Sequence, residues 1–403
     1  MPGTRANSKP QFTDEDLCSL KVIRDFRVRL SEIIANGAVP LHRSFEDPKR
    51  RLLLGDYLSL FLLGLLNPVA RTMRALLQAS TLPGVQRGIC ARPVSLGSFS
   101  ETQNLVDTAL LEALFTDIAS ELPDLAALPP GAHRWMARDS SLFAALPRMA
   151  WALYGGGREG FVNNAVRLHV SFDLLKDAPA QVKITTGKTC ERATLRADLQ
   201  PGGAYVGDRY FSEHYAFFGE LSAKNCRYVI RLLDHGVAPA ILEELPVSAA
   251  DARSGIERQA MVILGKRARS EKLRLIWLRG CGGQLIHLVT NLRVEELSAG
   301  DIALLYKKRW QIEYFFRWIK CLMGCGHWLA ESPRGVAVQL YLALIGALLL
   351  QLDLGRRPSQ RLWELLQWRL LGMMDEETLD QRLIAQHTAE ERRREAARKK
   401  KAK

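Results

Sequence analysis

The spacing of apolar residues changes character twice along this chain, near His133 and again near Leu304, and those two changes limit the fold more than any single motif. Before His133 the spacing is helical. Behind a capping-type Thr13, Leu17, Leu20, Ile23, Leu30, Ile33 and Ile34 recur at helical intervals and stop at Gly37. Residues 1–10 read as disordered. A second apolar helix is expected from Arg51 to Leu66. Asn67-Pro68 reads as a cap followed by proline at the first helical position, opening a third helix to about Gln78. Ser100 with Gln103 reads as the capping box of a helix through Leu122.

Beyond His133 short runs of β character appear, at Arg134–Ala137, Ala165–Ser171, Ala204–Val206, Arg227–Leu232, Leu273–Leu278 and Leu285–Thr290. Helical stretches over Arg192–Leu199 and Glu213–Ala223 lie between them, and the alternation predicts an α/β domain. From Leu304 to Leu354 the pattern is helical again. Pro358 breaks it, and an amphipathic helix carrying Leu362, Leu365, Leu366 and Leu370 precedes the C-terminal tail.

At 403 residues the chain is too long for one small core, and two or three domains are expected. Its net charge of +13 suits a polyanionic partner, for which nucleic acid and an anionic membrane are the usual candidates. Arg392 to Lys403 holds eight basic residues and one acid, as a solvated disordered end or a phosphate-gripping tail would. The apolar run Val336–Leu354 is interrupted by Gln339, Gln351 and Asp353, so it reads as a buried core helix and no membrane partner is expected. The seven cysteines are scattered, and they read as reduced thiols of a cytoplasmic protein. Cys321-x3-Cys325-Gly-His327 lacks a second ligand pair at zinc-finger spacing. Gly155-x-Gly157-x-x-Gly160 follows a helical-looking run and not a strand, so it reads as a loop instead of a dinucleotide fingerprint.

The stretch Leu304-Leu-Tyr-Lys-Lys-Arg-Trp-Gln-Ile-Glu-Tyr-Phe-Phe-Arg-Trp-Ile-Lys320 is the most informative. On one helix with Tyr306 at zero, Arg309 falls near ~300°, Glu313 near ~340° and Lys320 near ~320°. One edge of a buried stripe then carries a carboxylate with a cation a turn before it and another two turns after it. A solvated salt-bridge face has the same pattern. At a phosphodiester, however, the carboxylate would hold Mg²⁺ while the flanking Arg, Lys and Tyr contact non-bridging oxygens. Two metals need further carboxylates on rigid strand ends. Asp139, after the run Arg134-Trp-Met-Ala137, and Asp208, after Gly203-Ala-Tyr-Val-Gly207, are the candidates. Each is also an ordinary turn residue type.

Tyr306-x2-Arg309-x3-Glu313-x6-Lys320 resembles, in all four residues and their spacing, the Tyr-Arg-Glu-Lys signature of bacterial insertion-sequence transposases of the insertion-sequence-four group. Tyr205-Val-Gly-Asp208-Arg209-Tyr210-Phe resembles the segment around that family's second catalytic Asp. His169-Val-Ser-Phe-Asp-Leu174, followed by Ile184-Thr, resembles the strands between its first two acids. Ser332-Pro333, Gln339-Leu-Tyr341 and Pro93-Val-Ser-Leu-Gly-Ser-Phe-Ser100 also match, so the resemblance runs from about Asp47 to Gln351. The sequence departs from the family at Asp139-Ser140-Ser141, where Asp-Gly-Ser or Asp-Gly-Thr is usual, and at Asp208-Arg209-Tyr210, which lacks a Gly. The position of the Trp with which hairpin-forming members cap a flipped base falls near Ile286, with Trp277 a candidate substitute.

The resemblance implies an RNase H-like catalytic core over residues 126–355, interrupted by a β-rich insertion at about 237–283. A helical DNA-binding domain at 1–125 precedes it, and a C-terminal helix and basic tail at 356–403 follow. It implies two Mg²⁺ or Mn²⁺ ions held by Asp139, Asp208 and Glu313, one activating the attacking water or 3′-hydroxyl and the other stabilising the leaving oxygen. Tyr306, Arg309 and Lys320 would contact DNA. The implied partners are double-stranded DNA, as terminal inverted repeats and as target, and a second copy in a synaptic dimer. The implied place is the bacterial cytoplasm, at the nucleoid. An inactive, transposase-derived DNA-binding protein and a plain metal-dependent nuclease are the rival readings, and Ser140-Ser141 supports the first of them.

Overall fold

The computed structural model describes residues 21–37, 39–129, 134–156, 162–233, 239–265, 271–280, 282–322, 324 and 327–402. Thr13, Gly157, Gly160 and Cys325 lie outside these residues, whereas Gly155 stands in a strand, Leu153–Gly156, and not in the loop that the sequence suggested. Six helices open the described chain: α1 (Lys21–Ala35), α2 (Leu54–Leu66), α3 (Met73–Ala79), α4 (Pro83–Gly88), α5 (Leu96–Leu105) and α6 (Thr108–Glu121). Strands β1 (Trp135–Ala144), β2 (Leu153–Gly156), β3 (Val162–Asp173) and β4 (Ala178–Thr186) follow. Then come α7 (Glu191–Asp198), β5 (Ala204–Gly207), α8 (Ala216–Ala223), β6 (Arg227–Arg231), β7 (Ala240–Leu245), α9 (Ala249–Arg253), β8 (Ile256–Ile263), β9 (Lys272–Arg279) and β10 (Leu285–Thr290). The chain closes on α10 (Ala299–Lys308), α11 (Trp310–Leu322), α12 (Pro333–Leu354), α13 (Gln360–Leu370) and α14 (Glu376–Ala402).

These elements form two compact units, one of residues 1–118 with 318–403, the other of residues 119–317. In the helical unit α12 packs against α1, α2 and α5. Ser332 caps α12 by accepting from Gly335 N, and Pro333 takes the first turn, where no amide is needed. α12 is long and apolar enough to cross a membrane, but 89% of its apolar window is buried inside the protein, as a core helix requires. Tyr57, Phe61 and Phe99 pack together with ring centroids 4.7 to 6.0 Å apart, all fully buried.

Several helix boundaries differ from the sequence reading. Asn67 does not start a helix: its Oδ1 accepts from Val69 N and Ala70 N in a local turn, and the next helix waits for Thr72, which caps Ala75 N. Ser95, not Ser100, caps α5, and Gln103 donates to Ser332 Oγ instead of closing a box. The basic C-terminal stretch is helical as part of α14.

The second unit is built on one ten-stranded sheet in the order β2-β3-β1-β5-β6-β10-β9-β8-β7, with β4 also paired to β3. β3 runs antiparallel to both β1 and β4, whereas β1, β5 and β6 run parallel. Parallel neighbours need crossovers, and α7 and α8 are the helices in those connections. Leu195, Phe217, Phe218 and Leu221 of these helices join Tyr228 and Ile230 in one buried cluster. β10, β9, β8 and β7 extend the sheet antiparallel beyond β6, and β7 to β9 fall within the stretch where a β-rich insertion was expected.

Candidate active site

The parallel pairing of β1 with β5 aligns Trp135 with Ala204, Met136 with Tyr205 and Ala137 with Val206. Continuing both chains by two residues reaches Asp139 on one and Asp208 on the other. Neighbouring strands lie about 4.8 Å apart, so this register sets the two carboxyl groups side by side. Asp139 is not at a strand end, as the sequence suggested. β1 runs on to Ala144 along β3, and only its β5 side opens at that point. Asp208 does stand just past its strand, where it caps the turn Arg209–Ser212 by accepting from Tyr210 N at 3.0 Å. Gly207 permits that turn, since a Cβ there would meet the Phe211 ring at 2.9 Å.

Glu313 arrives from the first turn of α11. The helical signature is not continuous: α10 ends at Lys308 and Arg309 forms the joint, with Ile312 N bonding back to Arg309 O at 3.1 Å. At that joint the Arg309 side chain, 5% exposed, points among the acids. Its Nη2 donates to Glu313 Oε1 at 2.7 Å and its Nη1 lies 3.5 Å from Asp139 Oδ2. The Tyr306 and Trp310 rings lie 5.7 and 5.5 Å from the guanidinium. Asp139, Asp208, Glu313, Arg309 and Tyr306 therefore meet in one neighbourhood of the second unit. Lys320, two turns further along α11, belongs to the other unit.

Like charges kept from water raise one another's pKa. Burial, with help from Asp208 and Glu313, pushes Asp139 up to about 6, although Arg309 pulls the other way. Burial also raises Asp208, against Arg309 and the Tyr210 amide. Burial works against the charge of Arg309, but Tyr306, Glu313 and Asp139 outweigh it and hold the guanidinium ionised.

Sequence reasoning missed a fourth acid. Glu191, the first residue of α7, is pushed up to about 8 by burial and by the charges of Asp139 and Asp208. Ser140 lies close enough to draw that pKa back down, and its Oγ accepts from Arg167 Nη1 at 2.8 Å. A Glu in a helix's first turn is commonplace, and no spacing rule separates this one from the rest.

Hard oxygen donors of this kind suit Mg²⁺ or Mn²⁺. Among the described residues no three Asp, Glu, His or Cys side chains converge tightly enough to grip one ion. Arg309 meets both Asp139 and Glu313, and it supplies part of the positive charge that a divalent cation would bring. The donor set fits such a cation in chemistry and in excess negative charge.

The family model of the transposase DDE domain matches residues 134–350, more than half of the chain, and the chain belongs to that family. It is 31% identical over 208 residues to a Geobacillus stearothermophilus protein named as a transposase for insertion sequence element IS5377, covering 51% of this chain and 52% of the relative. It is 28% identical over 207 residues to a Sinorhizobium fredii protein named as transposase y4zB, covering 50% and 56%. The chain thus spans about half the length of these two relatives. A Synechocystis protein named as a transposase for insertion sequence element IS4SA is 21% identical over 304 residues, covering 73% of this chain and 80% of the relative. A solved piggyBac transposase synaptic complex with hairpin DNA superposes at a TM-score of 0.42 and 9% identity, over 92% of this chain and 80% of that one.

Proposed function

We propose that this chain is a cut-and-paste transposase of the insertion-sequence-four type, with Asp139, Asp208 and Glu313 as its metal-holding carboxylates. The observation that carries the reading is the register of β1 on β5, which aligns the two aspartates while Arg309 ties Asp139 to Glu313. The strand order β4-β3-β1-β5-β6, antiparallel on one side of β1 and parallel on the other, fits an RNase H-like core, with β7 to β10 as its extension.

Two divalent cations, Mg²⁺ or Mn²⁺, would supply charge stabilisation for the attacking and leaving oxygens of a phosphodiester. The protein's own part is to hold the carboxyl groups rigidly and to keep them short of positive charge. Asp139 and Asp208 are each fixed through one oxygen, by Ser140 N and Tyr210 N, which aims the other. Arg309, Tyr306 and Lys320 are the proposed contacts to backbone phosphates, and Arg309 would exchange carboxylate for phosphate as cations and DNA enter.

The substrate is double-stranded DNA bearing the element's terminal inverted repeats, then target DNA, handled by a dimer at the synapse in the bacterial cytoplasm. End recognition is assigned to residues 1–125, through basic residues such as Lys49, Arg51, Arg71 and Arg74. Arg50 serves the fold, since it bonds Leu52 O and Thr102 Oγ1. α12 packs on α1, α2 and α5, so side-chain substitution tests this assignment better than truncation. Replacing Lys49, Arg51, Arg71 and Arg74 by Ala should erase the preference for repeat DNA over random DNA, and unchanged selectivity would refute it.

The test of the function is Mg²⁺-dependent cleavage of DNA carrying candidate ends, followed by joining of the released 3′-hydroxyls to a second duplex. Cleavage without joining would leave a nuclease, and binding without cleavage an inactive descendant.

A further inference from the structure

Glu191 opens α7 with its carboxyl oxygen Oε1 buried. Its neighbours fix it there. Cys190 Sγ lies 3.7 Å from the Tyr210 hydroxyl, and the Arg192 guanidinium stacks 4.6 Å from the Tyr210 ring. Arg192 also donates to Glu213 Oε2 at 2.6 Å. The start of α7 is thereby fastened to the turn that Asp208 caps. On the other side lies Ser140, the residue after Asp139, close enough to lower the Glu191 pKa and itself held by Arg167. Glu191 is clamped between the segments that carry the two aspartates.

One oxygen is left over. Glu191 Oε1 is buried and has no hydrogen-bond partner. A buried carboxyl oxygen without a partner is costly, and a purely structural residue would have no reason to leave it so. Of the three acids already named, Asp139 has one oxygen held by Ser140 N and the other 3.5 Å from Arg309 Nη1, Asp208 has one held by Tyr210 N, and Glu313 has one held by Arg309. A further carboxylate oxygen would join them in a site whose remaining positions water and phosphate fill.

We propose that Glu191 is a fourth carboxylate of the cation site, with Oε1 completing the set formed by Asp139, Asp208 and Glu313. This rests on the reading of those three as cation ligands.

The experiment is Mn²⁺ binding to the full chain, by calorimetry, with the melting temperature of the metal-free protein measured in parallel. E191Q keeps the shape and removes the charge. It should bind Mn²⁺ about 10- to 100-fold more weakly, while melting near the wild-type temperature, because without metal the raised pKa already keeps the carboxyl largely neutral. E191D keeps the charge on a shorter arm and should lose a few-fold. Wild-type affinity in E191Q, with or without a lower melting temperature, overturns the proposal and leaves Glu191 a structural residue. If E191Q does not fold, wild-type Mn²⁺ affinity in E191D overturns it and a few-fold loss upholds it. D208N separates the two levels of the argument. Should D208N bind Mn²⁺ normally, the cation site itself is misplaced, whereas loss in D208N but not in E191Q removes Glu191 alone.

Discussion

The two units bury different things. The helical unit buries hydrocarbon, and its buried Asp56 is paired with Arg27 at 3.0 Å. The sheet unit sets Asp139, Asp208 and Glu191 close enough for their charges to oppose one another, with their carboxyl pKa values raised. One arrangement lowers the free energy of the fold. The other holds like charges out of water and gives back some of that stability, as sites built for a cation do.

Substitutions ought to separate the two by what they damage. E313Q should lower DNA cleavage by on the order of 10³-fold or more while the protein stays folded and still binds DNA, because the charge is lost but an acceptor for Arg309 remains. Normal cleavage would remove Glu313 from the chemistry, and failure to fold would make it a structural ion-pair partner. Phe61→Ala should do the reverse. It hollows the helical core and should cost about 3–5 kcal/mol in denaturant melts, leaving the cleavage rate per folded molecule unchanged. A small stability loss there would mean that the aromatic cluster is loosely packed.

Acid should weaken the sheet unit through His169. Burial, then the charges of Arg167, Lys183 and Arg138, push its pKa down to about 4 from 6.5. The unfolded chain takes up a proton below about 6.5 that the folded chain refuses until about 4, so stability is lost as pH falls across that window. His169→Gln should flatten this part of the pH–stability curve, and a curve of unchanged slope would show that His169 protonates freely. The smallest effect is expected from Tyr306→Phe. It retains the ring beside Arg309 and removes one hydroxyl, so DNA affinity should fall by about 0.5–1.5 kcal/mol in a binding titration. A much larger loss would place the hydroxyl at the reacting phosphate.

The sequence disclosed the candidate acids unevenly. Glu313 was visible because Tyr306, Arg309 and Glu313 share a helical edge, and that edge survives the joint at Arg309. The joint itself was invisible, since the apolar period runs through it without a Gly or Pro. Asp208 was visible as an acid closing a short β run. Asp139 was located for the wrong local reason, because its strand continues on one side and stops pairing on the other, which is a fact of sheet neighbours and not of sequence. Glu191 depends on contacts to Ser140 and to the Tyr210 turn that no local pattern encodes. The strands β7 and β8 were anticipated only as an insertion, and the sequence reading took the charged C-terminal stretch for a tail because α14 shows no apolar stripe.

The central claim is that Asp139, Asp208 and Glu313 form one cation-holding centre. Anomalous scattering from crystals of the protein grown with Mn²⁺ and a DNA end tests it most directly. The account predicts two Mn²⁺ peaks, about 3.5–4 Å apart, within bonding distance of carboxylate oxygens from all three residues. Peaks that lie elsewhere, or that leave any one of the three carboxylates beyond reach of both ions, would contradict it.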